Sequence, residues 1–230
     1  MKIERPELSV NEVKVGPDFE GPGPHFHEEH VDAFYVLEGE LEFTNGMETL
    51  RAGPGTSVAV PPGIVHGFTN PGPGGARYLN IHAPDAGFIE YLRRAIAGED
   101  FEWDNYDVDE PYGPAEAIVG GPNGGERLVR PSGLTNTIRA ETTELSLFEL
   151  EFDERWEGVD PHDHDDHVDS FYVLDGEVEF LLGEETVRVG AGTYVAALPG
   201  TTHGFRPVAP ARFFNMHAPD VGFAGRARGR

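Results

Sequence analysis

Apolar and polar positions alternate along this chain in short runs, the two-residue period of half-buried strands. Residues 33–37 (AFYVL) and 41–44 (LEFT) are β-branched or aromatic runs separated by Glu38-Gly39-Glu40. Asn45-Gly46 follows as a hairpin signal, since a type I′ turn needs positive φ angles, and Gly183-Glu184 stands at the matching place later in the chain. Residues 57–60 and 77–81 read as further strands, and the apolar stripe Phe34, Val36, Leu41 and Phe43 reads as core. One segment has helical spacing: 87–96, with Phe88, Tyr91, Leu92 and Ile96 on one face and Asp85 placed to cap it. Short strands with frequent turns predict an all-β chain of antiparallel barrels or jelly rolls.

The pattern occurs twice. Residues 24–43 read PHFHEEHVDAFYVLEGELEF and residues 161–180 read PHDHDDHVDSFYVLDGEVEF. The offset is constant from Ser9/Ser146 to His66/His203, with Phe19 answering Trp156, Gly21 answering Gly158 and Gly55 answering Gly192. After a two-residue contraction it resumes at Asn80-Ile81-His82-Ala83-Pro84-Asp85 against Asn215-Met216-His217-Ala218-Pro219-Asp220. Two long copies indicate a duplicated domain rather than a solenoid. The expected organisation is an N-terminal domain over 1–97, a connection over 98–134 rich in acids, prolines and glycines, and a C-terminal domain over 135–230.

Composition narrows the chemistry. There is no cysteine, which removes disulfides, thiolate nucleophiles and Cys-ligated zinc. The net charge of −24 argues against nucleic acid and anionic membranes as partners. No apolar run is long enough to span a bilayer, and Met1-Lys2-Ile3-Glu4-Arg5-Pro6 has no apolar core behind its charges, so the expectation is a cytoplasmic protein without a secretory leader. No Gly-x-Ser-x-Gly elbow is present, and Gly53-Pro54-Gly55 precedes no helix that would make it a phosphate loop.

All ten histidines fall in repeat pairs: His25/His162, His27/His164, His30/His167, His66/His203 and His82/His217. Neighbouring positions diverged, Phe26 against Asp163 and Ile64-Val65 against Thr201-Thr202, while every histidine stayed. Two residues apart on a strand, His25 and His27 share a face, with Cα atoms roughly 6.5–7 Å apart. Imidazoles so spaced can converge on one ion at about 2.0–2.1 Å. Asp32 opens the next strand, and His66 follows a Pro-Pro-Gly turn that swings it toward the same interior. The expected ligands are His25, His27, Asp32 and His66 in the first copy and His162, His164, Asp169 and His203 in the second. Such a set suits one divalent Fe, Mn, Zn, Ni or Cu ion per domain and disfavours Ca²⁺ or Mg²⁺.

These residues carry a resemblance to the cupin superfamily. Its first motif, H-x-H-x(3,4)-E-x6-G, is met by His25, His27, Asp32 and Gly39, and again by His162, His164, Asp169 and Gly176. Its second, G-x5-P-x-G-x2-H-x3-N, is met in full by Gly55, Pro61, Gly63, His66 and Asn70. In the second copy Gly192, Gly200 and His203 match, but Leu198 replaces the proline and Pro207 the asparagine. The resemblance implies a bicupin: two tandem double-stranded β-helix (jelly-roll) barrels, each with a metal inside, and a short helix after the first. Aspartate stands where the family has glutamate, and His30 and His167 lie two residues before it. The fourth ligand is therefore open between Asp32/Asp169 and His30/His167, the other acting as orienting partner.

The chain is similar to bicupins of the quercetin 2,3-dioxygenase type, sharing H-x-H, VLEGE and PPG-x-x-HG-F elements. This implies a metal-dependent dioxygenase, an oxidoreductase, acting on a small chelating substrate such as a polyphenol or diketone. Phe68, His82, Phe205 and His217 are expected to line the pockets. A non-catalytic small-molecule or metal-binding module is the alternative, and oxalate-type decarboxylation a second one, requiring a carboxylate on a lid. Monomer and homodimer are both compatible with a duplicated barrel.

Overall fold

The structure, a computed structural model, describes residues 1–229, and the chain divides into two compact units, Met1–Gly124 and Gly125–Arg230. The first unit holds β1 (Ile3–Arg5), β2 (Leu8–Val15), β3 (His25–Phe26), β4 (Val31–Glu38), β5 (Leu41–Asn45), β6 (Glu48–Ala52), β7 (Ser57–Val60), β8 (His66–Thr69), β9 (Ala76–Ala83), α1 (Phe88–Ala97), β10 (Tyr106–Asp107) and β11 (Ile118–Gly120). The second holds β12 (Glu126–Val129), β13 (Leu134–Glu141), β14 (Ser146–Phe152), β15 (Val159–His162), β16 (Val168–Asp175), β17 (Glu177–Leu182), β18 (Glu185–Gly190), β19 (Tyr194–Ala197), β20 (His203–Pro207), β21 (Ala211–Ala218) and α2 (Phe223–Ala227).

Each unit is a pair of antiparallel sheets. In the first the orders are β1-β2-β9-β4-β7-β11 and β10-β3-β8-β5-β6; in the second they are β12-β13-β14-β21-β16-β19 and β15-β20-β17-β18. This is the duplicated jelly-roll barrel anticipated from the repeat, with a helix after the first barrel. The segment 98–134 contributes β10 and β11 to the first unit and β12 to the second. No helix among the described residues is long and apolar enough to cross a membrane.

Strand position explains the burial pattern. The edge-proximal β5 alternates buried and half-buried residues, whereas β4, flanked by β9 and β7, is buried continuously from Val31 to Val36. The core of the first unit joins Phe34, Val36, Leu41 and Phe43 to Val58, Val60 and Tyr78. That of the second joins Phe171, Val173, Val178 and Phe180 to Phe148, Phe205 and Phe213.

Two local expectations shift. The β5–β6 hairpin forms, but its loop is Gly46-Met47, because Asn45 pairs with Glu48 and spends its side-chain oxygen on the Ala117 N–H. Gly46 takes the required positive φ of 55°, as Gly183 does at 62° in the second copy. Asp85 does not cap α1 with its side chain; Gly87, at φ 90°, occupies the N-cap, and Asp85 contributes only its backbone carbonyl to Phe88. The left-handed Ala86-Gly87 pair turns the chain too sharply for the carboxylate to reach the helix N-terminus. Gly21 and Gly158, matched in the repeat, have a plain reason: a Cβ there would lie 1.8 Å from the Phe68 carbonyl oxygen and 2.3 Å from that of Phe205, respectively.

Candidate metal centres

In the first unit, strand pairing brings the H-x-H segment to the strand that follows the Pro-Pro-Gly turn. His25 pairs in register with His66, and Asp32 of β4 pairs with His82 of β9. Ligand atoms of His25, His27, Asp32 and His66 lie within 4.8 Å of one another, and all four residues are buried.

Hydrogen bonding fixes the tautomers. His25 Nδ1 donates to the Gly23 carbonyl at 2.8 Å, His66 Nδ1 to the Ile64 carbonyl at 2.9 Å and His27 Nδ1 to the Asp104 carbonyl at 2.5 Å. A carbonyl only accepts, so each neutral ring carries its proton on Nδ1 and turns an Nε2 lone pair inward. Asp32 Oδ2 lies 3.3 Å from His66 Nε2 and 3.9 Å from His27 Nε2, and His27 Nε2 is buried without a hydrogen-bond partner. Three lone pairs and a carboxylate facing one another, with no proton between them, are a donor set that fits a divalent cation.

Electrostatics agree. Burial, with the neighbouring His66, lowers His25 to about 4, so it is neutral at physiological pH. Burial alone would raise Asp32, but the surrounding histidines, His82 first and then His27 and His66, hold it well below the usual carboxylate range. An ionised Asp32 carboxylate beside a neutral His25 imidazole suits an M²⁺ ion.

His30 lies beside this set, its ring stacked on that of His27 at 4.0 Å, and clusters with His27 and Asp104 rather than with Asp32. Its Nδ1 meets Asp104 Oδ2 at 2.7 Å and its Nε2 meets His82 Nδ1 at 3.0 Å, so both nitrogens are engaged. His82 Nε2 contacts Asn80 Oδ1 at 3.0 Å, and Asn80 Nδ2 donates to Asp32 Oδ1 at 2.7 Å. The chain Asp104–His30–His82–Asn80 thus ends on the carboxylate that faces the three imidazoles. Two members, Asn80 and Asp104, are not among the site residues expected from the sequence. Asn80 recurs as Asn215 in the repeat and was findable; Asp104 has no repeat partner and left no signal.

The second unit repeats the frame more loosely. His162 pairs with His203 and Asp169 with His217. His162, His164 and His203 cluster, and Asp169 Oδ2 lies 3.4 Å from His203 Nε2 and 4.0 Å from His164 Nε2. His162 and His203 donate to the Asp160 and Thr201 carbonyls, but both ring nitrogens of His164 are buried without partners. Asn215 Nδ2 donates to Asp169 Oδ1 at 2.6 Å, as Asn80 does to Asp32. His203 is raised: burial opposes this, but the Asp169 carboxylate 3.4 Å from its Nε2 prevails. His167 Nδ1 turns to its exposed neighbour Asp166 at 2.7 Å.

The cavities differ more than the ligands. The first site opens into about 1250 Å³ walled by Phe68, Tyr78, Phe88, Tyr91, Trp103 and Tyr106, with His82 stacked on Phe88 at 3.8 Å. The second opens into about 340 Å³ that includes His217, Phe223 and Arg226. Phe205 stays in the core, packed on Trp156, Phe171 and Phe180.

Comparison with known proteins follows these lines. The cupin domain family matches residues 11–82 and 148–217. Among solved structures, a putative glyoxylate induced protein from Pseudomonas aeruginosa superposes with TM-score 0.64 at 19% identity, covering 94% of this chain and 75% of that one. Protein Ylba from E. coli gives 0.65 at 16% identity, covering 93% and 78%. Oxalate decarboxylase from B. subtilis gives 0.60 at 16% identity, covering 93% and 69%. These identities establish shared fold only. No curated protein matches the sequence. The paired family matches, each holding the candidate ligands of one barrel, make this chain a member of the cupin family with two tandem cupin domains.

Proposed function

We propose that the chain binds one divalent transition metal in each domain and that the first domain is the working site of a metal-dependent dioxygenase acting on a small chelating organic molecule of polyphenol or diketone type. The ligands assigned are His25, His27, Asp32 and His66, and His162, His164, Asp169 and His203. Asp32 is preferred to His30 as the fourth ligand because both His30 nitrogens are already engaged. When bound, the ion supplies Lewis-acid polarisation of substrate oxygens and an open-shell centre for O₂ chemistry.

The observation that carries this reading is the junction of the four donors with a large aromatic-walled cavity. The walls present flat faces to a planar substrate and exclude water from it. Asn11, 6% exposed, lines the same cavity with its Nδ2 buried and unpartnered. It is a donor available to a substrate oxygen, and at the matching position the second copy has Phe148. Asp32 sits where it can accept a proton from an entering hydroxyl, its other oxygen held by Asn80.

Oxalate-type decarboxylation is the second reading, favoured by Glu102 and Asp107 on the cavity wall. Oxygen consumption and CO₂ release decide between them, measured on iron-, manganese-, nickel- and copper-loaded protein with polyphenols, diketones and oxalate. Oxygen uptake with an aromatic or diketone substrate is expected. CO₂ from oxalate alone would replace the reading with decarboxylation, and silence throughout would leave a binding module.

A further inference from the structure

Residues 101–103 and 105–107 line the cavity of the first site, and Asp104 between them is engaged out of proportion to its neighbours. Asp104 accepts four hydrogen bonds from four consecutive residues. Its carbonyl takes the proton of His27 Nδ1 at 2.5 Å, and its carboxylate takes the backbone N–H of Glu28 and of Glu29, each at 2.8 Å, and His30 Nδ1 at 2.7 Å. The side chain is only 6% exposed. On one side Trp103 lies over the His27 and His30 rings, at centroid distances of 5.2 and 5.7 Å. On the other, β10 pairs with β3, setting Asp107 opposite His25 and Tyr106 opposite Phe26.

We infer that Asp104 is a positioning residue for the first metal site, and that 99–107 is a clasp whose docking and metal binding reinforce each other. A metal-bound imidazole needs an acceptor for its other N–H to fix tautomer and ring direction, and losing such a partner typically weakens metal affinity by about 10–100-fold. For His27 that acceptor is the Asp104 carbonyl. The carboxylate holds this carbonyl in place by gripping residues 28–30, the loop that spaces His27 from Asp32. Whatever the docked clasp adds to metal binding, bound metal must return to clasp docking. The second domain supplies the contrast: His164 has no acceptor on Nδ1, and His167 falls back on Asp166 beside it.

This inference rests on the metal reading, and the test separates the two. In a His203→Ala background, which disables the second site, Zn²⁺ and Co²⁺ affinities are measured by chelator competition together with the Co²⁺ absorption spectrum. Asp104→Ala is expected to weaken both metals about 10–100-fold and to change the Co²⁺ bands. Asp104→Asn, which keeps an oxygen for the Glu28 or Glu29 N–H, is expected to recover part of the loss. A folded Asp104→Ala chain with unchanged affinity and spectrum would overturn the inference. Should Asp104→Ala fail to fold, hydrogen exchange of the unsubstituted chain decides: Zn²⁺ is expected to slow exchange across 99–108, and equal exchange with and without metal overturns the clasp. A His203→Ala chain that takes up no metal would overturn the metal reading and the clasp with it.

Discussion

His27 and Asp104 lie 77 positions apart in sequence, yet the His27 ring donates to the Asp104 carbonyl at 2.5 Å. The repeat-matched His164 has no hydrogen-bond partner on either ring nitrogen. Two sites with the same ligand types therefore differ in how firmly those ligands are held.

The first prediction follows from that difference. The site of His25, His27, Asp32 and His66 should bind metal about 10–100-fold more tightly than its repeat, because its imidazoles are pre-oriented and fully buried. Stepwise chelator titration should show two classes of site. Substituting His162 should remove the weaker class and His25 the tighter one. A single class of affinity would contradict this.

Acid should unfold the metal-free protein more readily than the loaded one. Burial first, and neighbouring histidines second, lower His25 and His30 to about 4 and His82 to about 3. In the unfolded chain these groups take up protons below about 6.5. The unfolded state thus binds more protons as pH falls from about 6.5 toward 4, and folded-state stability drops across that window. Melting temperature against pH, measured after chelation, should fall there. A flat profile between pH 7 and 4 would refute the burial of neutral histidines.

Asn80→Ala should destabilise the metal-free chain by about 1.5–3 kcal/mol, the range for losing a hydrogen bond to a charged group, because a buried carboxylate loses its amide donor. Urea denaturation gives the value. Asn215→Ala should do the same to the second domain through Asp169.

Asn11→Ala should act on substrate rather than on fold. If its free Nδ2 meets a substrate oxygen, KM should rise by several-fold, the worth of one hydrogen bond at about 0.5–1.5 kcal/mol, while kcat changes less. The reverse split would assign Asn11 to the transition state, and no change would remove it from recognition.

Much of this is legible in the sequence. The repeat carries the duplicated barrel, and the drift of Phe26/Asp163 beside unchanged histidines marks the candidate ligands. The period of Phe34, Val36, Leu41 and Phe43 marked a core that is buried throughout. What escaped notice depended on chain folding over long separations. Asp104 sits in an acidic, proline-rich stretch with no repeat partner, where one aspartate looks like its exposed neighbours. Phe205 follows His203-Gly204 as Phe68 follows His66-Gly67, yet Phe68 reaches a cavity and Phe205 does not. In the first unit Phe88, Trp103 and other aromatics build a cavity wall beyond the barrel; the five-residue α2 borders a much smaller one.

The central claim is that each domain holds one divalent transition ion through three histidines and an aspartate. Elemental analysis of protein purified without chelators, beside its His66→Ala and His203→Ala variants, tests it most directly. Two equivalents per chain are expected for the unsubstituted protein and one for each variant. No bound transition metal, or two equivalents in the His66→Ala chain, would contradict it.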